Sequence, residues 1–128
     1  MKSVIEKNER YSIFKINEKN LTSHNSSDLK SEIAILAAEG NNFILLNMTD
    51  VEFMDSSGLG AILNANRSAK ENGGILVIYG LNQNNANLIR IAKLDKVLLI
   101  AHTEKEAIDL LILEELDRDL SENAEGEH

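Results

Sequence analysis

Two short runs of consecutive apolar residues, at positions 43–46 and 75–79, constrain the fold of this chain more than any other feature. Strands without polar alternation are covered on both faces, which is typical of a parallel sheet between two layers of helix. A segment with apolar residues at helical spacing separates the two runs, and parallel strands need such a crossover. The pattern therefore predicts an α/β fold with right-handed connections.

Weaker signals complete the predicted order of elements, which is β-β-α-β-α-β-α-β-α. Residues 3–6 and 11–16 are typical of a hairpin, which makes the sheet mixed, and residues 97–100 are the last predicted strand. The predicted helices begin at Ser26 or Ser27 and end at Gly40, run from about Ser57 to Asn72, cover residues 86–91, and begin again at Thr103. We predict one domain over residues 1–116, with a mixed sheet of four or five strands and about four helices.

The acidic residues are concentrated at the C-terminal end of the sequence. Residues 114–128 contain seven acids and one base and carry −6 of the net charge of −8. Such a run is typical of a solvated end, so residues 117–128 are predicted to form an acidic, disordered tail. The rest of the chain is close to neutral and has no basic stripe, which argues against direct binding of nucleic acid.

The absence of cysteine removes disulfides, thiolate catalysis and thiolate metal sites from consideration. No apolar run approaches the roughly 18 residues that a membrane span needs. No signal peptide or lipidation motif is recognisable either. The sequence therefore predicts a cytoplasmic protein without a membrane anchor.

Residues 50–63 carry the strongest functional signal, because they join a predicted buried strand to a helix at the strand's carboxyl end, where binding sites collect in α/β sheets. Asp55 or Ser56 can cap this helix by accepting hydrogen bonds from its free N–H groups. Gly58 and Gly60 keep the first turn slim, so another backbone or a partner can approach closely. A phosphate on this turn would meet the positive end of the helix dipole. The same residue types begin many ordinary helices, so local chemistry also allows a plain helix cap.

The segment reads Val51-x-Phe53-Met54-Asp55-Ser56-Ser57-Gly58-Leu59-Gly60. It closely resembles the hallmark motif of the STAS-domain anti-sigma factor antagonists, in which the serine directly after the aspartate is phosphorylated. The match places this modification on Ser56, with Ser57 as the second candidate. Residues 72–74 and 94–97 are also similar to segments of that family, and the order of elements agrees from about residue 3 to residue 113.

This resemblance implies a phosphorylation-controlled binding protein rather than an enzyme, without a cofactor or a metal site. The unphosphorylated form would sequester an anti-sigma factor that is also a serine kinase of the GHKL type. Phosphorylation would release that partner, and a phosphatase of the PPM type would reset the protein. The implied partner-binding residues surround Ser56 and are Thr22, His24, Met54, Asp55, Ser57, Gly58, Leu59 and Gly60.

One loop departs from the pattern of that family. Family members usually have Gly-x-Leu-Asp after the second strand, where this chain has Lys19-Asn20-Leu21-Thr22. Leu21 agrees with the pattern, but lysine replaces the glycine and Thr22 replaces the acid. That loop borders the phosphorylation site in the family.

Other functions have less support in the sequence. A serine hydrolase is disfavoured because the residues around Ser56 do not form a Gly-x-Ser-x-Gly elbow, although His24 could lie close to this serine. The acids and histidines are not at metal-ligand spacing. Phe53 and Met54 are predicted to be partly buried packing residues. The alternative that stays open is a constitutive STAS adaptor, such as an accessory subunit of a lipid-transport ABC complex, in which Ser56 is only a helix cap.

Overall fold

The computed structural model describes residues 1–126, with side chains to Glu122, and contains seven strands and four helices over that range. In chain order these elements are β1 (Ser3–Lys7), β2 (Ser12–Ile16), β3 (Asn20–Leu21), α1 (Ser26–Ala38), β4 (Phe43–Asn47), β5 (Phe53–Met54), α2 (Ser56–Glu71), β6 (Ile75–Tyr79), α3 (Gln83–Ile91), β7 (Leu99–Ala101) and α4 (Glu104–Gly126).

Five of the strands form a mixed sheet in the order β1-β2-β4-β6-β7. β1 pairs antiparallel with β2, and every other pair in this sheet is parallel. The predicted α/β fold with a mixed sheet is therefore confirmed. The remaining strands, β3 and β5, form a separate parallel pair in which Leu21 lies opposite Met54. This pair was not predicted, because two residues per strand are too few to show a periodic pattern.

The two apolar runs are covered on both faces, as their composition predicts. Within β4, Ile44 and Leu46 point toward α1 and α2, whereas Leu45 points toward α4. The core on the first side is completed by Leu29, Ile33 and Leu36 of α1, by Leu59, Ile62, Ala65 and Ala69 of α2, and by Ile89 of α3. The second side is closed by Ala107 and Leu111 of α4. Consequently α2 and α4 lie on opposite faces of the sheet.

Two helix starts differ from the predicted positions. α1 is preceded by Asn25 at the N-cap position, not by Ser26 or Ser27, and the Asn25 side chain accepts a hydrogen bond from the N–H of Thr22 at 2.9 Å. α3 begins at Gln83 rather than at residue 86, because Asn82 caps it. The last strand is shifted as well, since β7 covers Leu99–Ala101 rather than residues 97–100.

α4 continues to Gly126, so residues 117–126 are helical and the prediction of a disordered tail is wrong for them. Arg118 holds this part of the helix against the sheet. Its Nη1 donates a hydrogen bond to the carbonyl oxygen of Gly73 at 2.7 Å, and its guanidinium lies 5.5 Å from the centroid of the Phe43 ring. Residues 127 and 128 of the predicted tail lie outside the described residues. Within residues 1–126, no helix has the length and hydropathy needed to cross a membrane.

Candidate functional site

The segment that leads into α2 is bonded on one side to the chain around β3. The carbonyl oxygen of Lys19 accepts hydrogen bonds from the N–H groups of Glu52 at 2.8 Å and Phe53 at 3.1 Å. The carbonyl oxygen of Leu21 accepts a third hydrogen bond from the N–H of Asp55 at 3.3 Å. The loop that carries Thr22 and His24 therefore begins beside the first turn of α2.

On its other side, the same segment is bonded to two asparagine side chains at the start of α3. The amide nitrogen of Asn82 donates to the carbonyl oxygen of Glu52 at 2.8 Å, and that of Asn85 donates to the carbonyl oxygen of Val51 at 3.0 Å. Asn85 is only 2% exposed. Sequence reasoning missed both residues, because an asparagine near a helix start has the pattern of an ordinary cap. The hydrogen bonds that their side-chain amides donate to Glu52 and Val51 depend on tertiary structure.

Asp55, and not Ser56, is the N-cap of α2. Its backbone is extended, with φ −99° and ψ −174°, and its Oδ1 accepts a hydrogen bond from the N–H of Gly58 at 3.0 Å. Ser56 is the first helical residue. Of the two residues that the sequence offers as the cap, the structure therefore has Asp55 in that role.

Ser56 and Ser57 differ in their exposure to solvent. Ser56 is exposed and Ser57 is half-buried. Their N–H groups belong to the first turn of α2, where a helix has no acceptors of its own for them. Among the described residues, no histidine or carboxylate is hydrogen-bonded to the Ser56 hydroxyl. A serine nucleophile is normally activated by such a base.

The two glycines of the first turns have different surroundings. A Cβ built on Gly58 would overlap the carbonyl oxygen of Leu21 and lie 2.8 Å from Cγ of Met54. The sequence predicted that another backbone or a partner approaches Gly58 closely. In the structure, the backbone of Leu21 in the same chain occupies this position. A Cβ on Gly60 would meet nothing within 4 Å. Gly60 is four residues after Ser56, so both lie on the same face of α2. Because glycine has no side chain, nothing projects from position 60 beside the Ser56 hydroxyl.

Burial divides the predicted partner-binding residues into two groups. His24, Ser56 and Gly60 are exposed, and Thr22, Asp55 and Ser57 are half-buried. Met54, Gly58 and Leu59 are buried and contribute to the core, so they position the surface rather than form it.

Phe53 was predicted to be a partly buried packing residue, together with Met54. Met54 is 3% exposed, but the Phe53 side chain is 56% exposed. The difference follows from the pleat of β5, since successive side chains of a strand point to opposite faces. Phe53 therefore presents an aromatic surface three residues before Ser56, and sequence reasoning did not assign it to the site.

Comparison with known proteins identifies the architecture around this site. The family model described as the STAS domain matches residues 2–107. A Thermotoga neapolitana protein, named as the homologue of a candidate anti-sigma factor antagonist, is 35% identical over 71 residues. That alignment covers 56% of this chain and 63% of the relative, which is less than two thirds of the relative's length.

Solved structures have the same fold. The crystal structure of a candidate anti-sigma factor antagonist from Thermotoga maritima has a TM-score of 0.75 and 23% identity, and the match covers 85% of this chain and 93% of that one. The anti-sigma factor antagonist SpoIIAA of Bacillus matches in its unphosphorylated form with a TM-score of 0.65 and 22% identity, covering 84% of this chain and 96% of that chain. Its phosphorylated form matches with a TM-score of 0.64 and 23% identity, covering 84% of this chain and 97% of that chain.

Proposed function

Because the chain belongs to the STAS domain family, we propose that it is an anti-sigma factor antagonist whose binding to its partner is controlled by phosphorylation of Ser56. The observation that carries the proposal is the position of the Ser56 hydroxyl, which is exposed at the start of α2 while Asp55 supplies the cap. The names of the Thermotoga and Bacillus relatives support the same role. In this role the protein binds a partner and acts as a substrate, and it catalyses nothing.

In the unphosphorylated state, the protein sequesters an anti-sigma factor that is also a serine kinase of the GHKL type. The proposed contact surface consists of exposed and half-buried residues around the start of α2, which are Thr22, His24, Phe53, Asp55, Ser57 and Gly60. Met54, Gly58 and Leu59 are buried beneath this surface, where they fix the position of the first turn of α2. We place this exchange in the cytoplasm, where sigma factors act.

Phosphorylation ends the interaction through a single transfer step. The Oγ of Ser56 attacks the γ-phosphorus of ATP bound to the kinase, and the bond from that phosphorus to the β,γ-bridging oxygen breaks. ADP leaves with the bridging oxygen, and a base of the kinase accepts the hydroxyl proton. A phosphatase of the PPM type later directs water to the phosphoserine, which restores the hydroxyl and releases inorganic phosphate.

The phosphorylated state keeps the fold and changes the surface. A phosphoserine adds about −1.5 to −2 charges and three acceptor oxygens. The N-terminus of α2 tolerates this charge because its N–H groups and helix dipole favour anions. The carboxylate of Asp55 is adjacent and opposes the phosphate by like-charge repulsion. The partner therefore meets a bulky dianion where it had met a small hydroxyl.

The test uses protein purified from its native cells, grown with and without stress. Intact mass and fragment mapping locate any phosphate, and Ser56→Ala and Ser56→Asp variants are used as bait in the same lysate, with Ser31→Ala, at an exposed serine of α1, as the matched control. We expect phosphate on Ser56, a GHKL-type partner retained by Ser56→Ala and Ser31→Ala, and loss of that partner with Ser56→Asp. An unmodified Ser56 under every condition, with partners indifferent to residue 56, would exclude the proposal.

A further inference from the structure

The exposed face of α4 carries a stripe of leucines that the protein itself does not cover. Leu113, Leu116 and Leu120 are 61%, 53% and 59% exposed. Their spacing of three and four residues aligns them on one side of the helix. At about 100° per residue, this side is opposite the one that Ala107 and Leu111 bury against the sheet. We refer to the three side chains as the leucine stripe.

The leucine stripe is surrounded by negative charge. From Glu104 to Glu122, α4 contains eight acids and two bases, Lys105 and Arg118. The guanidinium of Arg118 is directed toward Gly73 and Phe43 on the sheet side. Where side chains are described, no acid of α4 forms an ion pair with a lysine or arginine; the ion pairs found there involve Asp28 and Asp50. The carboxylates around the stripe are therefore not neutralised by ion pairs with the described lysines and arginines.

This combination of charge and apolar surface selects one kind of occupant. A second copy of α4 would bring two acidic helices together, and like-charge juxtaposition across an interface costs several kcal/mol. A helix with leucine-like side chains on one face and lysine or arginine beside them would cover the stripe and neutralise its surroundings.

We propose that the leucine stripe of α4 is a docking surface for a basic amphipathic helix of a second protein. It lies on the opposite face of the sheet from α2, so it is separate from the surface around Ser56. The inference does not depend on the proposed phosphorylation switch, because it requires neither a modified serine nor the partner proposed for that site.

The test measures binding of two fluorescent 18-residue peptides to the full chain by anisotropy. One peptide places lysines beside a leucine face, and the control peptide replaces every lysine with glutamate. The stripe variant is Leu116→Gln with Leu120→Gln, which keeps residues of good helix propensity. The matched control is Ile35→Gln, since Ile35 is 58% exposed on α1. Thermal unfolding of each variant verifies that the fold is retained.

We expect the lysine peptide to bind the wild type and Ile35→Gln equally and to lose at least about tenfold in affinity, or about 1.4 kcal/mol, in the stripe variant. Ser56→Asp should bind it as tightly as the wild type. Equal binding of the glutamate peptide, or of the lysine peptide to the stripe variant, would overturn the proposal. So would a dimer of the wild type that the stripe variant abolishes, because the occupant would then be a second copy of the chain.

Discussion

The side-chain amide of Asn85 donates a buried hydrogen bond to the carbonyl oxygen of Val51 at 3.0 Å, joining two positions that are 34 residues apart in the chain. This bond ties the first turn of α3 to the segment that leads into α2. It pairs a carbonyl that would otherwise be buried without a partner. The position of the Ser56 turn therefore depends in part on a helix that carries none of the sequence motif.

Substitution of Asn85 should destabilise the protein. In Asn85→Ala, the carbonyl of Val51 loses its donor inside the protein, and an unpaired buried group costs about 1–3 kcal/mol. Asn84→Ala is the matched control, since Asn84 is exposed on the same helix. Urea unfolding should show the loss for Asn85→Ala alone. Equal stability of the two variants would mean that the hydrogen bond contributes little.

The cap of α2 can be assigned by comparing two neighbouring residues. Asp55→Ala removes the acceptor of the Gly58 N–H and should reduce the free energy of unfolding by about 1 kcal/mol. Asp55→Asn should recover most of that loss, because asparagine caps helices nearly as well. Ser56→Ala should change stability by less than about 0.5 kcal/mol, as exposed substitutions usually do. A loss with Ser56→Ala as large as that of Asp55→Ala would contradict the assignment.

The glycines of the motif should separate stability from binding. Gly58→Ala forces a methyl group against the carbonyl oxygen of Leu21, and overpacking of this kind costs about 1–3 kcal/mol. Gly60→Ala meets no atom and should be neutral or stabilising, because alanine is favoured over glycine by up to about 1 kcal/mol in a helix. If the partner contacts the face shared by Ser56 and Gly60, Gly60→Ala should still weaken binding. Chemical denaturation and a pull-down of each variant measure the two effects.

Phe53 should matter for binding and not for stability. Its exposed ring contributes little to the core, so Phe53→Ser should change the free energy of unfolding by no more than about 0.5 kcal/mol. Aromatic side chains are enriched among the residues that dominate interfaces, and the loss of one commonly costs about 2 kcal/mol of binding energy. A pull-down beside Ile35→Ser, an exposed apolar position on α1, tests this. Unchanged partner recovery with Phe53→Ser would remove Phe53 from the surface.

Tyr79 should make the fold sensitive to alkaline pH. Burial, and then the nearby carboxylate of Glu104, raise the pKa of Tyr79 from about 10 to about 12. The folded state therefore favours the protonated phenol, whose hydroxyl donates to Oε1 of Glu104 at 3.3 Å. This contribution to stability is complete below pH 10 and is lost as the pH rises toward 12.

The measurement is the free energy of unfolding at several pH values between 9 and 12. Tyr79→Phe should flatten the decline over this range, whereas Tyr11→Phe, at the other tyrosine of the chain, serves as the control. The same slope in Tyr79→Phe and in the wild type would show that other groups cause the alkaline loss.

The sequence predicted the parts of the fold that rest on local pattern. Ile44, Leu45 and Leu46 show why, because side chains that alternate between two cores require an uninterrupted apolar run. The pair formed by β3 and β5 escaped prediction, since two residues per strand are too few to show a periodic pattern. The end of α4 was predicted to be disordered because its composition is acidic. That prediction did not consider the helical spacing of its leucines, and it could not include the contacts of Arg118.

The local structure around Ser56 was predicted to a similar extent. Asp55 was one of two candidate caps, and the exposed position of Ser56 follows from its place at a strand-to-helix junction. Asn82 and Asn85 could not be identified, because their side chains donate to the backbone carbonyls of Glu52 and Val51. Every residue has a backbone carbonyl, so the sequence does not show which one accepts a hydrogen bond. Phe53 was misassigned because a large apolar residue beside a buried methionine is usually interior.

The hydrogen bonds on both sides of residues 51–55 have a consequence for the thermodynamics of association. A loop that must order on binding loses conformational entropy, which lowers its affinity and slows complex formation. Here β3 and α3 have already fixed the backbone before any partner arrives. The heat capacity change on binding should therefore reflect only the surface covered at the interface, with no contribution from coupled folding.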